Sequence, residues 1–523
     1  MLRRPMKGAP FTPAEIEAAI KVLEAIAGDR GALAHVEPRD VRLRLLEAAG
    51  RVSLPNRAEQ RKLAKAFRRK QADEIKGADE ALLDATGIRA LRRAPVFATP
   101  EPPVLIEAGS RAPSLPSPGF APRPSAIPSS SSEAPPEDGG PELREPRKCY
   151  VCKAAFTRLH HFYDQMCPPC AALNWEKRNQ TADLSGRVAI VTGARVKIGY
   201  QAAILLLRAG ARVIVTTRFP HDAAARYARE ADFPAWADRL AIHGLDLRLT
   251  PAVERFARTI DEQYDRLDFI LHNACQTVRR PPGFYAHLVD HERTSLDALP
   301  REVRPLLHAY HEERRQRRGA GDDPALLSQA ALTAEDRALT GRVDLFPAGE
   351  LDADLQQIDL RPQNSWRLTL AEVPTVELLE VQLVNAVAPF VLSSKLKPLM
   401  LRHRTMDKHI VNVSAMEGQF YRDHKTDKHP HTNMAKAALN MLTRTSAADY
   451  VRDGIHMNSV DTGWVTDEDP ATLAARKREV HGFHPPLDIV DGAARIVDPI
   501  FSGMLTGKHV WGQFLKDYQP TDW

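Results

Sequence analysis

Arg187-Val-Ala-Ile-Val-Thr-Gly-Ala-Arg-Val-Lys-Ile-Gly199 is the stretch on which the reading of this chain turns. It opens with a short apolar, β-branched run, Arg187 to Thr192, the pattern of a strand buried on both faces. The glycine-bearing turn Gly193 to Gly199 follows, and Tyr200 to Arg208 then has the composition of a helix. A strand, a tight turn and a helix N-terminus in that order make a diphosphate site. The backbone N–H groups left free at the helix start, and the helix dipole, face the same anion. Glycine alone lets a backbone approach that closely.

Further along, Ala211-Arg-Val-Ile-Val-Thr-Thr-Arg218 reads as a second strand. It ends in a basic residue, not the acid that would hold a free ribose 2′-hydroxyl. A planar guanidinium at Arg218 suits a 2′-phosphate. The expected cofactor is therefore NADP(H) rather than NAD(H), with Arg195 or Lys197 assisting. A third strand ends at Leu245-Asp246-Leu247, and a fourth, Leu267 to Leu271, runs into His272-Asn273-Ala274-Cys275. Such strands alternating with helical stretches predict an α/β fold, a Rossmann-like doubly wound parallel sheet.

This order of parts resembles the short-chain dehydrogenase/reductase superfamily, of which the chain looks like an atypical member. Members carry a TGxxxGxG turn, matched here by Gly193 to Gly199 with Ile198 inside it. They also carry an Asp-Leu or Asp-Val pair at the adenine, matched by Asp246 and Leu247, and an NNAG segment, matched in part by Asn273. The likeness continues with Asn385 in the helix Val381 to Lys397, the strand His409 to Ser414, Lys436 in His431-Thr-Asn-Met-Ala-Lys-Ala-Ala-Leu439, and Asn458-Ser-Val-Asp-Thr-Gly463. It covers roughly residues 183–512. The chain departs from the pattern at Lys197, the middle glycine of the turn, at Thr462, a proline in the family, and at Cys275, the last glycine of NNAG.

The resemblance implies a proton relay of tyrosine, lysine, serine and asparagine. Lys436 and Asn385 match their positions; Lys436 is also expected at the nicotinamide ribose. Thr432 stands where the tyrosine belongs, and a threonine hydroxyl is a poor proton donor near neutrality. Ala415 holds the serine position, with Ser414 beside it. Three substitutes present themselves: Ser414 for the carbonyl hydrogen bond, Tyr421 as a phenol swung in from its loop, and His429 or His431 as the acid. Tyr421 is the first choice. Two functional readings follow. One is an NADP(H)-dependent oxidoreductase acting on an unknown carbonyl or alcohol substrate with a non-standard proton donor. The other is a catalytically silent NADP(H)-binding scaffold or sensor.

The rest of the chain reads as separate parts. Residues 1–94 are helical, with Arg57, Arg61, Lys62, Lys65, Arg68, Arg69 and Lys70 on one helix; such a run is a solvated face or a site for a protein or nucleic acid. Residues 95–146 are rich in Pro and Ser and read as a disordered linker. Within residues 147–178, Cys149-Tyr-Val-Cys152 and Cys167-Pro-Pro-Cys170 have the double pairing of a zinc ribbon, a structural Zn²⁺ site without an open position. The Rossmann domain takes residues 179–523, with a long insertion, about 277–375, at the ligand edge of the sheet. There Arg279 and Arg280 can hold an acidic substrate or pair with the insertion's own carboxylates. A homodimer is expected by analogy with the superfamily. The chain has 523 residues, is 43% hydrophobic and has a formal charge of +5, too small for this length to select an anionic partner. No apolar run is judged to approach the roughly 20 residues of a membrane span. The five cysteines and the lack of an apolar leader suggest a cytoplasmic location.

Overall fold

Seven short runs of β-branched and apolar residues, spread from Val188 to Lys516, become the parallel strands of one sheet. The computed structural model describes residues 11–102, 140–316, 323–347, 349–354, 356–421, 425–481 and 484–523. A two-stranded ribbon, β1 (Glu142–Lys148) and β2 (Ala155–Arg158), precedes the sheet. The sheet strands are β3 (Val188–Thr192), β4 (Arg212–Thr217), β5 (Leu240–Gly244), β6 (Phe269–His272), β7 (Lys408–Ser414), β8 (Ile455–Asp461), β9 (Phe514–Lys516) and β10 (Gln519–Thr521). Their order is β10-β9-β8-β7-β6-β3-β4-β5, parallel except at the β9–β10 edge. From β3 the chain steps outward to β5, then returns to place β6 on the other side of β3. The direction reverses between β3 and β6, and a doubly wound sheet opens its ligand crevice at that point.

Helices cover both faces, which is why β3 is buried along its whole length. On one side lie Lys197–Arg208 and Ile489–Thr506, with Ile204, Leu206 and Leu207 fully buried among Val191, Val213 and Ile496. Each such side chain contributes about 1.5–3 kcal/mol of burial. On the other side, Thr250–Gln263 and Ala388–Leu401 pack on Ile190, Ile214 and Ile410. The continuous segment Thr375–Leu401 is long and apolar enough to cross a bilayer. That corrects the expectation that no run reaches such a length. Its Leu392, Leu396, Leu399 and Met400 belong to the sheet's core.

The N-terminal region is helical, with α1 (Pro13–Gly28), α2 (Arg39–Ser53), α3 (Arg57–Asp84) and α4 (Gly87–Arg93). Neither α1 nor α2 buries a residue, and α3 buries only Asp79 and Leu83 near its end. Asp79 accepts the main-chain N–H groups of Arg144 and Glu145, 2.9 and 3.0 Å, tying α3 to β1. The stretch read as linker is shorter than expected at both ends. Residues before 103 lie against the Rossmann domain, where Phe97 N–H donates to Ala353 O and Arg208 donates to Pro100 O. At the other end, β1 begins at Glu142. Residues 103–139, the remainder of that reading, lie outside the described residues.

The four cysteine sulfurs lie within 4.8 Å of one another. Their ribbon shares an apolar cluster with Leu83 and Ile88 on one side and Val465, Leu487, Ile489 and Val490 on the other. Buried charges join the same surfaces. Arg178 makes a fork to Asp488, 2.7 and 2.9 Å, and reaches Asp491 at 2.8 Å; Tyr163 donates to Asp491 at 2.6 Å.

Candidate cofactor cleft

The crevice at the switch point is a cleft of about 400 Å³. The turn Gly193–Gly199 forms its floor, and this turn has little room to change. Gly193 has φ +66°, and a Cβ there would lie 2.8 Å from Ala274 Cα. A Cβ on Gly199 would collide with the Asn273 amide and lie 2.6 Å from Gly193 O. Asn273 latches the turn to β6, its Nδ2 donating to Thr192 O and Gly193 O at 3.1 and 3.2 Å. Lys197, where the family pattern has glycine, adopts φ +57° at a cost of about 1–2 kcal/mol. Ile198 lines the cleft and packs back on the ribbon's apolar cluster.

Arg218 lies directly after β4, beside an aromatic partner that no pattern in the sequence foretold. Its Nη2 donates to Tyr285 Oη at 2.7 Å, and its guanidinium stacks 4.5 Å from that ring. Burial pushes the Tyr285 phenol up, yet Arg218, Arg280 and Arg195 together draw it below its usual value. Three guanidiniums thus converge on this end of the cleft. Arg195 lines it too, with its guanidinium held by Asp222 at 2.7 Å. Asp246 and Leu247 both line the cleft. The Asp246 carboxylate is engaged by Arg248, at 3.0 and 2.6 Å. Burial works against it, but Arg248 holds its pKa below the ordinary value.

Towards the far end, Ser414 and Lys436 face the same cleft. Lys436 is buried and donates to Val413 O at 2.8 Å. Ser414 Oγ is buried without a hydrogen-bond partner, as is Thr432 Oγ1. Hydroxyls in that condition are rare and call for an explanation, such as a ligand or water. Thr432 is not among the lining residues. Glu468 enters the cleft from the loop after β8 and accepts hydroxyls from Thr466 and Thr277, at 2.8 and 3.1 Å. Burial raises its pKa, but Lys197 leads the groups that bring it below normal.

The other expected catalytic groups are placed differently. Tyr421, the first choice as proton donor, is 88% exposed and does not line the cleft. A loop position says nothing about the direction in which its side chain points. His431 is buried near Glu377, 3.9 Å away, where burial first and His429 second lower its pKa to about 4. It lies outside the cleft lining. His429 stacks on Trp366, ring centroids 3.9 Å apart. Asn385 sits on a single π-helical turn, Leu383–Val387, with its amide clasped by the main chain of Gln276 at 2.8 and 3.1 Å. That commits the group expected to order water. Arg279 is paired with Asp336 and Glu380, and Arg280 with Asp359, so the ion-pair alternative describes both.

The family model described as "short chain dehydrogenase" matches residues 187–291, and one described as "Enoyl-(Acyl carrier protein) reductase" matches residues 349–483. The chain is 30% identical over 371 residues to "Uncharacterized protein R665" of Acanthamoeba polyphaga mimivirus, covering 68% of this chain and 71% of that one. It is 35% identical over 120 residues to "Dehydrogenase/reductase SDR family member 13" of Bos taurus, covering 22% of this chain and 29% of the relative. Among solved structures, the Pseudomonas aeruginosa "RhlG/NADP active-site complex" aligns with a TM-score of 0.40 at 19% identity, over 64% of this chain and 95% of that one. With the turn, the switch point and the cleft in the expected order, the chain belongs to the short-chain dehydrogenase/reductase superfamily.

Proposed function

We propose that this protein is an NADP(H)-dependent oxidoreductase acting on a carbonyl or alcohol substrate. One observation carries the reading: a single cleft runs from the Gly193–Gly199 turn and Arg218 to Lys436 and Ser414. The free N–H groups at the start of the helix Lys197–Arg208 suit a diphosphate, and Arg218, braced by Tyr285, suits a 2′-phosphate. When bound, the cofactor supplies or accepts hydride at nicotinamide C4. Lys436 spends one of its three donors on Val413 O and keeps the others for the ribose hydroxyls. The unpartnered Ser414 hydroxyl donates to the substrate oxygen. Among the catalytic candidates named from the sequence, only Ser414 and Lys436 line the cleft, so in this reading the proton donor is non-standard.

Hydride transfer from C4-labelled NADPH into a panel of aldehydes and ketones tests this reading. Label in the alcohol product, lost in Lys436→Met while NADPH still binds, supports it. Tight NADPH binding without transfer to any carbonyl would leave the catalytically silent scaffold as the better account.

The four-cysteine cluster fits a structural Zn²⁺. A tetrahedral ion with Zn–S near ~2.3 Å needs sulfurs about 3.8 Å apart, and the Cys152–Cys167 pair lies at 3.6 Å with all four sulfurs within 4.8 Å. Cys149, Cys152, Cys167 and Cys170 would hold it, closing the knuckles of the ribbon. For the N-terminal helices, the support for a protein or nucleic-acid partner is charge. Seven basic residues and one acid give residues 57–70 a formal +6 against +5 for the whole chain. Everything else sums to −1, so the positive excess lies in one exposed half-helix.

A further inference from the structure

The zinc ribbon lies directly behind one wall of the cleft. The segment after β8 has the cleft on one side and the ribbon on the other. Thr462, Thr466 and Glu468 line the cleft. Between them, Val465 is buried in the apolar cluster that also holds Cys149 and Cys167. Trp464 N–H donates to the Oη of Tyr150 at 2.9 Å, and Trp464 O accepts Leu487 N–H at 3.3 Å. Tyr150 lies inside the first knuckle, next to Cys149, and its own N–H donates to Gln165 O at 2.7 Å. Its Oη comes so close to the wall that a Cβ on Gly463 would lie 3.2 Å from it; Gly463 has φ +75°, so glycine is favoured there on both counts.

We propose that Tyr150 is a positioning residue for the cofactor cleft, with the metal-closed knuckle as the rigid base that holds it. The proposal rests on the cofactor reading above. Its physical content is that the wall has no regular secondary structure of its own from Thr462 to Asp469. Its place is set from several sides: Trp464 N–H donates to Tyr150 and Trp464 O accepts Leu487 N–H, Val465 is seated in the shared apolar cluster, Thr466 and Thr277 donate to the Glu468 carboxylate, and Asn364 donates to Glu468 O at 2.9 Å. Of these, the Tyr150 hydroxyl and part of the Val465 seat come from the ribbon. Four thiolates on one ion fix the Cys149–Cys152 turn, and hence the ring that leaves it towards Gly463. Without the ion, the knuckle loses the bonds that define its turn. The wall then samples positions in which Thr462 and Glu468 no longer bound the cleft. The ribbon also touches the floor, because Ile198 packs on the same cluster.

The test uses the full-length, zinc-loaded protein. Tyr150→Phe keeps the ring and removes only the oxygen that accepts the Trp464 N–H. It is expected to retain zinc and its thermal midpoint, to exchange the amides of residues 462–468 faster, and to weaken NADPH binding by about threefold to tenfold, the worth of one hydrogen bond. Removing zinc from the unaltered protein with a chelator is expected to reproduce both changes more strongly. Faster exchange with unchanged NADPH affinity would reduce Tyr150 to a structural clamp and overturn the proposal. Weaker binding without faster exchange would overturn the proposed route. If the unaltered protein takes up no NADPH, the first titration shows that the cofactor reading itself has failed, before any variant is compared.

Discussion

At one end of the cleft, Gly193 and Gly199 sit where any side chain would strike Ala274 or Asn273, and Asn273 latches the turn to the neighbouring strand. At the other end, Thr432 occupies the position of the family's phenol, Tyr421 points to solvent, and Ser414 and Thr432 carry buried hydroxyls without partners. The first end is fixed by backbone geometry, where each departure meets a steric penalty. Even Lys197, where the family pattern has glycine, takes the left-handed conformation. The second end depends on which side chain happens to carry a proton, and a change of residue leaves the backbone intact. The contrast is between a turn held by backbone contacts and a group of side chains whose identity the backbone does not dictate.

Breaking the rigid end should have the largest effect. Gly199→Ala places a methyl group against the Asn273 amide and Gly193 O, and should weaken NADPH binding about a hundredfold, the equivalent of about 2.8 kcal/mol, by fluorescence titration. Near-normal binding would show that the turn is softer than its contacts indicate. A smaller and more selective effect is expected at Arg218. Arg218→Gln removes one charge-assisted contact and should weaken NADPH by about tenfold while leaving NADH nearly unchanged. Equal losses for both would mean that the guanidinium does not read the 2′-phosphate. At the second end, Tyr421→Phe should change neither turnover nor cofactor affinity by more than about twofold, since surface substitutions away from a site have small effects. A large loss of turnover would mean that its loop folds inward during catalysis.

The phosphate end was legible in the sequence because its signal is local: a strand, a turn and a helix written in thirteen consecutive residues, Arg187 to Gly199. Arg218 was legible for the same reason, as the residue directly after a strand. Its brace, Tyr285, arrives from an insertion whose path no pattern of spacing reveals. The pairing of Asp246 was closer to hand, since Arg248 is only two residues away, but a family-based role for the carboxylate concealed it. Tyr421 lies exposed and away from the cleft lining, since a residue's distance along a loop does not fix the direction of its side chain. The cysteine spacing pointed to a metal cluster, yet nothing in it said that the ribbon packs against the segment after β8. That contact joins residues more than three hundred positions apart, Tyr150 and Trp464.

Calorimetric titration of the purified, zinc-loaded chain with NADP⁺, NADPH, NAD⁺ and NADH puts the cleft's assignment to its most direct test. The geometry predicts saturable one-to-one binding of NADP⁺ and NADPH, with the unphosphorylated pair at least about tenfold weaker, because only the former engage Arg218 beside Tyr285. Absence of binding heat with all four would contradict the assignment at its root.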